Sequence, residues 1–186
     1  MNSLQSLGYT SRTAWVRMEL RVWVPGEGPD DAVGWIVGEA PGAEEERMGK
    51  PFVGPAGQQL DRALGELGIT RGSLYLTNVV KSFPCDSEGR ARTPTGEEVR
   101  SWLPDLLDEV QRFAGVPLLA LGKTASMALT NRWRPGQCAR GSVWVGWHPA
   151  YVLRRRTLFP DWLAQLAPWS RAVVSLATKR EKGLAL

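Results

Sequence analysis

The sequence predicts an α/β fold: a three-layer α/β/α sandwich whose central, mostly parallel sheet has about four strands. Short β-branched runs alternate with segments of helical hydrophobic spacing. The runs end in glycine or polar turn residues before the next helical segment begins. The chain has 186 residues, 43% hydrophobic and 23% charged, enough for one α/β domain with a core of its own. Residues 1–186 are therefore read as a single domain.

The elements follow in order. VGWIVGEAPG is a strand running into a loop. The stretch 38–57, GEAPGAEEERMGKPFVGPAG, holds five glycines, three prolines and four glutamates, and most of it fits neither period. GPAGQQLDRALGELGI then places Leu60, Ala63, Leu64 and Leu67 at helical spacing, with Gly68 closing the helix. SLYLTNVVK is a second buried strand and FPCDSEGRARTPTG a polar loop. GEEVRSWLPDLLDEVQRFAG is a long helix with early acids and a terminal glycine. VPLLALG is a third strand and KTASMALTN the helix after it. GSVWVGWHPAYVLRRR is a fourth strand entering a basic segment, and a last helix lies within 160–180, interrupted near Pro168. No repeat or low-complexity tract is present.

Charge divides the chain. Residues 1–110 carry 11 Lys/Arg and 17 Asp/Glu, a net of −6, whereas residues 111–186 carry 12 and two, a net of +10. A basic half of this strength fits a polyanionic partner, although a solvated basic surface accounts for it equally well. No apolar run approaches the ~18–20 residues that span a membrane. The N-terminus lacks a compact apolar run after basic residues, so a cytoplasmic protein without a signal peptide is expected. Cys85 and Cys138 have no metal-like spacing and are expected to be free thiols.

In a parallel sheet covered by helices, ligands bind beyond the carboxyl ends of the strands. The unusual residues fall there: Glu39 to Gly42 after strand one, Asn78 and Lys81 after strand two, Lys123 after strand three, His148 after strand four. Singly, each is weak. The single histidine fits a structural hydrogen-bonded role, Asn78 a backbone cap, Glu44 to Glu46 a solvated stretch, and Phe52 and the nine tryptophans a core. The glycines of 38–42 match neither a Walker loop nor GxGxxG. A site assembled from several loops is stronger than any one of them.

Taken together, GEAPGAEEERMGKPFVGPAGQQL, LTNVVKSFP, LLALGKTAS and HPAYVLR resemble, in order and spacing, the uracil-DNA glycosylase superfamily, nearest its prokaryotic iron–sulfur branch, over about residues 11–155. The resemblance implies hydrolysis of the uracil N-glycosidic bond in a flipped-out nucleotide, the first step of base excision repair. It implies that Phe52 stacks on uracil, that Asn78 reads its edge, and that Ala40, Gly42 and Glu45 line the base pocket. It further implies that Glu39 positions or activates water and that His148 stabilises the leaving uracil anion. It implies too that Leu153 or a neighbour fills the space vacated by the base, while Arg154, Arg155, Arg156, Lys81 and Lys123 hold phosphates. Uracil-containing DNA is the implied partner, with a monomer expected and no membrane.

One departure stands out. The iron–sulfur branch uses four cysteines, and the corresponding positions here are Ser11, Ala14, Ser82 and Trp102. No metal and no cofactor is expected. A catalytically silent DNA-binding relative, a glycosylase for another deaminated base, and an α/β enzyme acting on free nucleotides remain alternatives.

Overall fold

The computed structural model of the chain describes residues 22–112, 114–140 and 143–183. Its strands are β1 (Gly34–Gly38), β2 (Leu74–Asn78), β3 (Leu118–Leu121), β4 (Cys138–Arg140) and β5 (Val143–Gly146). Its α-helices are α1 (Ala43–Met48), α2 (Pro55–Glu66), α3 (Gly96–Gln111), α4 (Gly122–Thr130), α5 (Pro149–Arg154) and α6 (Phe159–Glu181). The strands form one sheet in the order β2-β1-β3-β5-β4. The four expected strands, β1, β2, β3 and β5, pair in parallel; β4 joins as an antiparallel edge. Three residues are too few to carry a strand pattern, which is why β4 does not stand out in the sequence.

Alternation along the strands separates two cores. Ile36, Leu74, Leu76, Leu119 and Leu121 face Leu60 and Leu64 of α2, Val152 of α5, and Trp162, Leu166 and Trp169 of α6. Trp35, Val37, Tyr75, Leu118 and Ala120 face the other way, onto Leu106 of α3 and Ala125 of α4. Helices thus cover both faces, as expected.

Helix α6 corrects one expectation: it runs unbroken for 23 residues through Pro168. The proline removes the N–H that would bond Ala164. Packing compensates, because Trp162, Leu166, Trp169 and Val173 are all buried along the helix. Both buried indoles are satisfied, Trp162 Nε1 donating to the Trp147 carbonyl (2.9 Å) and Trp169 Nε1 to the Pro117 carbonyl (3.1 Å). No described helix is long and apolar enough to cross a membrane.

Candidate active site

A cleft of about 410 Å³ opens at the carboxyl edge of the sheet, within the ~300–1,000 Å³ range of small-ligand sites. Glu39, Ala40, Gly42, Glu45, Phe52, Asn78 and His148 all line it. The order of strand addition reverses here: β1 is followed in sequence by β2 on one side, and β3 lies on its other side. This is the switch point at which such sheets bind ligands.

The floor is built around a missing side chain. A Cβ on Gly38 would lie 2.4 Å from Asn78 Oδ1 and 2.6 Å from Phe52 Cζ, so only glycine lets the amide and the ring converge. Phe52 itself sits at φ 55°, a conformation uncommon for a bulky residue. Its carbonyl lies 1.9 Å from where a Cβ of Gly57 would be, so the start of α2 also closes down on it. Asn78 ends β2 in register with Gly38 and is almost fully buried. Among the described residues its amide makes no side-chain hydrogen bond, so its donor and acceptor are both free to face the cleft.

Glu45 supports the loop. Its Oε1 accepts from the Val53 (2.9 Å) and Gly54 (2.7 Å) N–H groups, and its Oε2 from Gly42 N–H (3.0 Å). The carboxylate therefore ties the first turn of α1, a helix with no periodic signature, to the entrance of α2. Its carboxylate has all its described bonds inside the loop.

Glu39 follows β1, its Oε2 accepting a hydrogen bond from the Thr124 hydroxyl of α4. His148 caps α5, its Nδ1 accepting from Ala150 N–H (3.3 Å). In a neutral imidazole that leaves the proton on Nε2. Burial, aided by the Arg154 charge, pushes His148 down from the usual 6.5 to about 4, so the neutral ring prevails at pH 7. The Phe52 and His148 rings lie 6.5 Å apart, 29° from parallel.

Of the residues expected on DNA, Lys123 and Arg154 to Arg156 are exposed and Leu153 is half-buried on α5. Arg155 lies over the Tyr151 ring at 4.5 Å. Lys81 is the correction. Its side chain is wholly buried, its Nζ donating to Glu109 Oε2 (2.6 Å), Thr77 Oγ1 (2.6 Å) and the Asn78 carbonyl (2.8 Å). A strand-end lysine reads as exposed in sequence, but here its stem turns inward and pairs with α3, so it reaches no phosphate.

Two cleft or near-cleft groups escaped the sequence reading. Arg92 lines the cleft from an aperiodic loop, and its guanidinium binds both Glu98 oxygens at 2.7 Å, holding that carboxyl down to about 2. Thr124 sits one residue beyond Lys123, at the sheet edge the strand pattern had already marked.

A four-thiolate cluster does not fit this chain, which has two cysteines in all. Ser82 and Trp102 offer no thiolate, and Ser11 and Ala14 lie outside the described residues. Among the described residues no group of three or more His, Cys, Asp or Glu side chains is placed to hold a metal.

A doubly wound sheet with a carboxylate, an amide, an aromatic ring and a neutral imidazole around one switch-point cleft belongs to a recognised class. Residues 25–169 match the uracil DNA glycosylase superfamily, and the chain belongs to that superfamily. Within it the chain is similar to the type-4 uracil-DNA glycosylase of Pyrobaculum aerophilum, 38% identical over 77% of this chain and 80% of that protein. It is also similar to the type-4 uracil-DNA glycosylase of Thermotoga maritima, 38% identical over 72% and 73%.

Proposed function

We propose that the chain is a monofunctional uracil-DNA glycosylase that flips uracil out of DNA and hydrolyses its N-glycosidic bond. The observation that carries this reading is the Gly38 floor, which brings a free side-chain amide and an aromatic ring together opposite Glu39 and His148. Uracil presents an acceptor at O4 beside a donor at N3–H. The Asn78 amide can donate to the first and accept from the second, whereas cytosine would leave it mispaired and buried. The Phe52 ring gives the base apolar area without reading neighbouring sequence.

In the reaction the C1′–N1 bond breaks and its electron pair leaves with uracil. The neutral His148 donates Nε2–H to the uracil anion without surrendering its proton. Water adds to C1′ through oxygen, and its proton passes to Glu39 and then to solvent. Solvent finally protonates the uracil. The products are free uracil and an abasic site, with the backbone intact.

The test is a labelled oligonucleotide with one uracil, single- and double-stranded, incubated with excess enzyme and then with or without alkali. Release of uracil with alkali-dependent strand cleavage is expected. Intact uracil DNA in both forms would defeat the reading and favour a silent DNA-binding relative.

A further inference from the structure

We infer that Thr124 is a positioning residue for Glu39, and that the first turn of α4 sets the spacing between the carboxylate and the imidazole of the cleft. A threonine in the first turn of a helix usually bonds its own backbone. The Thr124 hydroxyl instead donates to Glu39 Oε2, across 85 residues of sequence. No other hydrogen bond to the Glu39 side chain is made among the described residues. One carboxylate oxygen is thereby held by α4, and the other has no described hydrogen bond in a residue that lines the cleft.

The same turn touches the imidazole. Gly122, the first residue of α4, has φ +89°, and a Cβ there would lie 3.1 Å from His148 Cβ and 3.5 Å from its Cδ2. His148 therefore packs directly on the start of the helix that holds Glu39. β3 pairs with both β1 and β5, so the turn leaving β3 lies between the ends of the strands that carry Glu39 and His148. A single rigid turn then fixes both groups, and displacement of ~1 Å between such groups is costly to rate.

This inference rests on the proposed glycosylase reading. Its test measures single-turnover uracil release and half-saturating enzyme concentration for Thr124→Val, Thr124→Ala and Thr124→Ser, with thermal melts alongside. Thr124→Val should lower the saturated rate about tenfold or more, the scale of a lost hydrogen bond to a charged group. Half-saturation should stay within about twofold, because DNA contacts are untouched. Thr124→Ser should keep most of the rate, and Thr124→Ala, of nearly the same size as serine, should lose it; that pair decides the matter if the valine variant fails to fold. In a Glu39→Gln background, Thr124→Val should add little, since the group it positions is already lost. Wild-type rates in both Thr124→Val and Thr124→Ala, or the same loss with and without Glu39, would overturn the positioning role alone. An inactive wild type would overturn it together with the glycosylase reading.

Discussion

One proton decides what His148 can do. With Nδ1 accepting from Ala150 N–H, the neutral ring carries its proton on Nε2, and burial keeps it neutral. The chain has only this histidine, so its imidazole C–H resonance is unambiguous by NMR. It should titrate near 4, and the single-turnover rate should show no inflection near pH 6.5. Because the folded value lies below the usual 6.5, the unfolded chain binds this proton first. Stability from this group therefore declines as pH falls from about 6.5 to 4. A resonance titrating at 6 or above would contradict the neutral-donor role. Burial pushes Lys81 down as well, but there the Glu109 carboxylate opposes the shift. Lys81→Met should destabilise the fold by about 1–3 kcal/mol in urea titrations, because the half-buried Glu109 would lose its ion-pair partner and keep only the Thr77 hydroxyl. Lys81→Met with Glu109→Leu should recover most of that loss. Equal loss in the single and double variants would place the cost in packing instead.

At the scale of elements, the helical and parallel-strand order was legible because its apolar spacing is set by burial against a sheet. Leu60, Ala63 and Leu64 announce α2, and their burial accounts for the pattern. Helix α1 was not legible, since its order comes from Glu45 accepting three backbone N–H groups rather than from an apolar face. The cleft residues were legible by resemblance and by position at strand ends. Their partners were not, because Thr124 and Arg92 are chosen by contacts distant in sequence or inside an aperiodic loop. The direction of Lys81 was hidden for the same reason: nothing local records Glu109, 28 residues away. The Glu45 clamp itself is testable. Glu45→Ala orphans three donors beside Phe52, so both melting temperature and saturated rate should fall, with DNA affinity nearly kept. Loss of affinity without loss of rate would instead place Glu45 on the DNA.

Over the whole molecule, charge is segregated as the chain is. The 111–186 half carries a net of +10, and Arg154, Arg155 and Arg156 leave His148 on the exposed side of α5 and the turn beyond it. Changing all three to alanine should flatten the dependence of log K on log salt by up to about 0.9 per lost duplex phosphate contact. An unchanged slope would move the DNA face elsewhere.

The cleft also has a consequence for how the protein comes to life after synthesis. Its groups hang from the ends of β1, β2, β3 and β5, and the Thr124–Glu39 bond alone closes a span of 85 residues. β3 must dock beside β1 after β2 and α3 have intervened in the chain, and such distant pairings form late because their loops are costly to close. Glu39, Asn78 and His148 come together only once β1, β2, β3 and β5 are all paired. Recovery of uracil release during refolding should therefore lag behind helix formation and track the slowest, global phase. Because the acidic residues 1–110 are made first, a growing chain would carry neither the basic segment 154–156 nor any capacity to cut a glycosidic bond until its last stretch is in place.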